Sequence, residues 1–275
     1  MDPLIVGLWI VAAVCVITWV LSLITKEHSW VDRIWSLIPV VYVWVFTAAD
    51  GFGDARLNLI AALVTLWGAR LTFNFARKGG YAPGGEDYRW AALRASMKPW
   101  QFGLFNLFFI VIYQNLLLYL ITLPVWTASQ HDSALGPLDV VAAVVFLALL
   151  VGETVADQQQ WNFHQWKKAE VAAGREPSPR FLQRGLFRFS RHPNFFFEQA
   201  QWWVVFFFGA IAAGSVLQWT VIGAVLLSVL FIGSTNFTER ISRTRYAEYA
   251  DYQRTTSAII PWFPRRSASD KGPAQ

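Results

Sequence analysis

Between residues 185 and 203 the chain reads Gly-Leu-Phe-Arg-Phe-Ser-Arg-His-Pro-Asn-Phe-Phe-Phe-Glu-Gln-Ala-Gln-Trp-Trp, a basic loop running straight into an apolar segment. Pro193 has no backbone N–H to lose and its fixed φ suits a first helical turn, so the spacing predicts a helix opening at His192–Pro193. The unpaired N–H groups and positive dipole end of such a helix face the loop that carries Arg188 and Arg191. That combination suits phosphate or another anion. One turn further in, Asn194 and Glu198 stand four residues apart on one face. A carboxylate inside an apolar run is costly unless it is paired or used, which makes Glu198 a candidate binding residue.

Other polar groups interrupt apolar stretches in the same way. Asp32, in His28-Ser29-Trp30-Val31-Asp32-Arg33-Ile34-Trp35, either pairs with Arg33 or a basic loop residue, or points into a cavity as an acid. Arg70 and Asn74 share a helical face, and Arg70 either snorkels to the interface or turns inward toward a bound anion. Tyr113-Gln114-Asn115 lies at mid-depth of an apolar run, as interhelical glue or, for Tyr113, as a proton donor. Glu153, Asp157, Gln160 or Trp161, His164 and Lys168 recur at steps of three and four. They form one stripe that begins inside the apolar region, too deep for a solvated face to account for Glu153 and Asp157. Further on, Glu239 and Arg243 stand four apart, followed by Tyr246, Tyr249 and Tyr252 at steps of three. These are either a surface pair and an aromatic belt, or groups placed to hold a ribose or a flat ring. With four His, one Cys and no paired-ligand spacing, a metal site is not expected.

The elements that must position these groups are membrane helices. Of 275 residues, 55% are hydrophobic and only 15% charged, with 15 Trp and 22 Phe, a composition far from that of a soluble domain. Runs long enough to span a bilayer fall at 3–25, 57–76, 103–126, 137–156, 194–212 and 216–234. A seventh, 31–48, qualifies with Asp32 and Arg33 in its first turn. The expected fold is therefore all-α, a single seven-helix membrane domain over 1–264 with a disordered tail over 265–275. The first run has no small-residue cleavage site and reads as a retained helix. Alternation of the loops leaves all but Arg56 of the 23 Lys and Arg residues on one side, which predicts the N-terminus outside and the C-terminus inside. The net charge of +5 is then a cytoplasmic collar, and no nucleic-acid partner is expected. Gly79, Gly80, Gly84 and Gly85 match no phosphate-loop spacing and read as a flexible surface loop. The lone Cys15, within the first apolar run, reads as a buried structural thiol.

The segment from Asp157 to Pro261, with the Val-Asp-x-x-Trp of 31–35, the Trp-Gly-x-Arg-Leu of 67–71 and the Glu-Asp-x-Arg of 86–89, resembles the steroid 5-alpha-reductase-like membrane family, most closely its bacterial branch of predicted membrane oxidoreductases. The resemblance implies a seven-helix fold in a bacterial inner membrane, with NADPH lying between the cytoplasmic loops and the last helices. It implies reduction of a carbon–carbon double bond, typically conjugated to a carbonyl, in a lipid-soluble small molecule, with membrane lipids as the other partners. Carried over residue by residue, the cofactor-binding Asp, Asn and Glu fall on Asp157, Asn194 and Glu198, and a basic position seven after the Asp falls on His164. Arg70, Arg188, Arg191, His192, Glu239, Arg243, Tyr249 and Tyr252 complete the expected cofactor set. The steroid enzymes polarise the substrate carbonyl with a Gln-Glu pair and a Tyr; here Asp32 stands near the first and Trp67 at the second. Asp32 is the expected catalytic acid, with Tyr113 in reserve.

Two other classes remain open on the sequence. Arg-His-Pro-x-Phe/Tyr-x-x-Glu at a helix start also marks membrane methyltransferases that use S-adenosylmethionine, although those lack the Asp157 stripe. A non-enzymatic lipid-binding or partner-binding bundle would need Asp157, Asn194 and Glu198 to be interhelical glue.

Overall fold

The computed structural model of the chain describes residues 1–265, and the tail expected over 265–275 lies, from 266 on, outside the described residues. Among those residues the only extended pairing is an isolated parallel bridge between Ser190 and Ser257. All else that is regular is helical, and the protein is an integral, multi-pass membrane protein. Six helical stretches are long and apolar enough to cross a bilayer: α1 (Pro3–Thr25), α4 (Ala55–Arg77), the composite stretch Pro99–Ser129, α9 (Pro137–Ala172), α10 (Pro193–Ala213) and α11 (Val221–Arg245).

Local chemistry sets several boundaries. The Asp2 carboxylate caps α1 through Leu4 N–H, and Asp54 caps α4 through the amides of Arg56 and Leu57. The run expected at 31–48 is two helices, α2 (Trp30–Ile34) and α3 (Ile38–Ala49), because Pro39 supplies no N–H and starts a new helix instead of extending the old. After α5 (Tyr88–Ser96), the run expected at 103–126 is likewise composite: α6 (Pro99–Phe105), a π-helical segment (Asn106–Tyr113), α7 (Gln114–Leu120) and α8 (Leu123–Ser129), with Pro124 in the first turn of the last. Past its apolar half, α9 continues as the anticipated polar helix to Ala172.

The chain folds as two compact units, one comprising residues 1–147 and 202–227, the other 148–201 and 228–275. The first is a helical bundle. In it α3 packs on α4 where Gly68 lets the backbone carbonyl of Ser36 approach to within 2.6 Å of where a Cβ would sit. Its core is aromatic, with Tyr42 against Tyr119 at 5.0 Å and Trp67 edge-on to Trp202 at 4.8 Å. Asn106 and Asn115 join α1 to the π-containing helix by donating to Ser22 and Thr18. A buried ion pair, Arg56 with Asp139, closes one end of this unit.

The second unit contains the polar half of α9, the loop to residue 192 with a 3-10 turn at Gly185–Arg188, the first part of α10, the end of α11, α12 (Tyr249–Thr255) and an extended strap to Arg265. Gly185 enters the 3-10 turn at φ 64° with the Gln159 amide where a Cβ would fall, and Gln159 in turn accepts from Leu186 N–H.

Candidate functional site

The second unit buries four carboxylates, Glu153, Asp157, Glu198 and Glu239, none more than 6% exposed. So many acids in one small polar core require partners close by. Gln201 donates to Glu153 at 2.7 Å. Glu239 has several partners. Arg191 meets it side-on, with Nε to Oε1 at 2.6 Å and Nη2 to Oε2 at 2.9 Å, while His192 Nε2 lies 3.2 Å from Oε1 and Gln253 donates to Oε2 at 2.6 Å. The remaining Arg191 nitrogen donates to the carbonyls of Gln253 and Thr256.

The strap is what closes this arrangement. Arg191 N–H donates to Ser257 carbonyl at 2.9 Å, His192 N–H to Ala258 carbonyl at 3.0 Å, and Trp262 N–H to Phe189 carbonyl at 2.9 Å. Ser190 Oγ bonds the carbonyls of Ala258 and Ile259. The amides of Arg191 and His192, immediately before α10 opens, are therefore satisfied by the protein's own backbone. Behind them Tyr249 and Tyr252 are buried, with the Phe181 ring 5.0 and 5.6 Å from theirs and the Tyr252 hydroxyl on Phe187 carbonyl. Burial pushes both phenols up from their ordinary range, so they act as neutral donors and packing groups.

Beside Glu239 opens a cavity of about 670 Å³ lined by Asn236, Glu239, Arg240, Arg243, Thr244 and Gln253. Its size lies in the range of small-molecule sites. Arg240 and Arg243 are exposed and carry no ion-pair partner among the described residues, and Asn236, Arg240 and Arg243 recur at helical spacing on one face of α11. Of the expected cofactor set, Glu239 and Arg243 line this cavity, and Arg191, His192, Tyr249 and Tyr252 form its supporting wall. Asn194 is half-buried and Glu198 buried on α10, Asp157 is buried on α9, and Arg188 and His164 are exposed, all within the same unit. Arg240, Asn236, Thr244 and Gln253 are the lining residues that sequence reasoning passed over. The spacing 236, 240, 243 was a readable signal for the first two; Gln253 had none.

Arg70, Asp32 and Tyr113 belong to the first unit. Arg70 is half-buried on α4. Asp32 is not paired with its neighbour: Arg33 goes to Glu27 at 2.6 Å and to Gly80 carbonyl at 3.2 Å, while Asp32 accepts from Trp90 Nε1 at 2.8 Å. Burial raises the Asp32 carboxyl above the usual range against the opposing pull of Arg89. The Tyr113 hydroxyl, at the end of the π segment, donates to Leu226 carbonyl at 3.3 Å. The glycine loop read as flexible is tied down, Gly84 N–H to Glu27 at 3.0 Å, Asp87 N–H to Ser29 Oγ at 2.9 Å, and Glu86 to both His28 and Arg94. The loop's side chains and amides supply these tethers, which composition in glycine does not reveal.

No described group of three or more His, Cys, Asp or Glu could hold a metal. The architecture defines a polytopic membrane protein, one of whose two compact units is rich in buried carboxylates. The family model described as "Protein of unknown function (DUF1295)" matches residues 18–256, and the chain belongs to that family. It is 38% identical over 276 residues to "Uncharacterized protein C594.04c" of the fission yeast Schizosaccharomyces pombe, covering 94% of this chain and 80% of that protein. No solved structure matches it.

Proposed function

We propose that the protein is an NADPH-dependent reductase, similar to the steroid 5-alpha-reductase-like enzymes, acting on a carbon–carbon double bond conjugated to a carbonyl in a sterol-like, isoprenoid or other lipid substrate. The observation that carries this reading is the cavity beside Glu239, where two guanidinium groups without ion-pair partners among the described residues face space of ligand size. Arg240 and Arg243 fit a ligand bearing phosphates, which a nicotinamide dinucleotide has and S-adenosylmethionine, a sulfonium cation, does not. Glu239 is already matched by Arg191, so the cavity's net attraction is for anions.

When bound, the cofactor supplies a hydride to the β carbon of the substrate. Arg240 and Arg243 hold its phosphates, Asn236, Thr244 and Gln253 offer neutral hydrogen bonds, and Asn194 and Glu198 bind its nicotinamide end. Asp32, whose carboxyl burial raises above the usual range, is the acid we assign to the carbonyl oxygen, where such help contributes roughly 10²–10⁴ in rate. The topology that accompanies this reading has the N-terminus outside and the C-terminus inside, with the Arg240–Arg243 cavity facing the cytoplasm; for a bacterial chain the membrane is the inner one.

Thermal unfolding of the purified protein in detergent tests the proposal. NADPH at saturating concentration should raise the unfolding temperature and S-adenosylmethionine should not. Stabilisation by S-adenosylmethionine alone would replace the reductase with the methyltransferase reading. Stabilisation by neither would leave the cavity without its proposed ligand.

A further inference from the structure

We propose that the segment Ile260–Phe263 is an interfacial membrane anchor, its aromatic side chains seated among lipid headgroups at the level where α10 leaves the bilayer. Trp262 and Phe263 are 70% and 78% exposed, and Ile260 beside them is 70% exposed. Three large apolar side chains so close together on a polar unit form a patch that calls for a covering surface.

The backbone fixes where that patch lies. Trp262 N–H is bonded to Phe189 carbonyl, and the strap's carbonyls take the amides of Arg191 and His192, immediately before Pro193 opens a membrane-spanning helix. The Phe263 ring also contacts Phe189 at 6.1 Å, edge-on. The aromatic patch is thus held within a few residues of the boundary of a span, the depth at which Trp is favoured because its ring is apolar and its N–H seeks a polar partner. Pro261 and Pro264 have no N–H, so the segment brings few unpaired backbone donors to that layer. Exposed Arg188 and Arg265 flank it and suit lipid phosphates. Continuity with the bilayer selects lipid over a protein partner as the occupant. This inference rests on the membrane-spanning assignment of α10 and is independent of the reductase reading.

Depth-dependent quenching of a label tests it. In a Cys15→Ser background, which removes the sole cysteine, Trp262→Cys is labelled with an environment-sensitive nitrobenzoxadiazole dye and the full chain is reconstituted in phosphatidylcholine bilayers. Lipids with a nitroxide on the headgroup should quench at least about twofold more than lipids with a nitroxide near the chain end, for a side chain about 5–10 Å into the interface. Aqueous iodide should quench it less than a label at Gln183→Cys, an exposed loop position. Dominant quenching by iodide would place the patch in water and overturn the proposal. Protection from every quencher would mean a protein covers it, and dominant quenching by the deep nitroxide would place it in the hydrocarbon; either result also overturns it. Phe263→Cys, labelled in the same way, reports the same depth should Trp262→Cys fail to fold.

Discussion

Each compact unit contains a side-on guanidinium–carboxylate pair, and the two pairs end differently. Arg56 meets Asp139 at 2.7 and 2.9 Å, and its other donors go to Ser133 and to the Ala134 carbonyl, with nothing more than 2% of either side chain exposed. Arg191 meets Glu239 with nearly the same geometry, yet its carboxylate also takes His192 and Gln253 and forms part of a cavity wall. One pair is a closed staple between helices. The other is a wall with an open side, and two further arginines stand on that side without ion-pair partners among the described residues. Identical chemistry therefore becomes a sealed contact in one unit and the wall of an open cavity in the other, according to whether donors outnumber the acceptors around them.

The staple gives the sharpest test. Arg56→Ala should destabilise the protein by about 3–5 kcal/mol, because it strands a buried carboxylate. Chemical unfolding in detergent would measure it, and a loss near zero would mean the pair is not the closed element the geometry describes. Glu239→Gln should cost less, about 2 kcal/mol, since the amide keeps the shape and Arg191 retains two carbonyl acceptors. The same variant should weaken NADPH stabilisation if wall and cavity act together.

Arg240→Ala with Arg243→Ala should leave stability within about 0.5 kcal/mol, as expected for exposed groups, while abolishing the NADPH-induced shift in unfolding temperature. A shift that survives would separate the cavity from the proposed ligand. The smallest effect concerns two neighbouring acids of the first unit with opposite displacements. Burial raises the Asp32 carboxyl, so its contribution is fully present below the unfolded Asp value and is lost as pH rises through the folded one. Glu27 is lowered, by the Gly84 amide and then Arg33, so its contribution is present above the unfolded value and lost as pH falls through the folded one. Relative to wild type, Asp32→Asn should gain stability and Glu27→Gln should lose it on moving from pH about 4 toward neutrality. Parallel curves would show that the two acids sense the same surroundings.

What the sequence made legible was local. The bounds of α1 and the opening of α10 at Pro193 follow from hydropathy and from proline's missing N–H, and both are observed. The polar continuation of α9 was readable from its three-and-four stripe, as was the burial of Asp157 and Glu198; Glu239, read with Arg243 as a surface pair or a ligand-holding group, is instead buried against Arg191. The partners were not readable. Asp32 offered Arg33, a basic loop residue or a cavity as its surroundings, whereas the bond it accepts comes from Trp90, 58 residues away. The strap pairs Ser190 with Ser257 through backbone groups, which every residue carries, so no side-chain pattern announces it. The π segment at Asn106–Tyr113 similarly leaves an apolar run looking like an ordinary helix.

The strap also imposes an order on biogenesis. Arg191 waits for the Thr256 carbonyl, 65 residues further along the chain, and α11 must be made in between. At ribosomal speeds of about 5–20 residues per second, that interval lasts roughly 3–13 s. Through that time the nascent protein displays a cationic loop with open amides at the threshold of a newly inserted helix. The completed fold withdraws those amides beneath the strap.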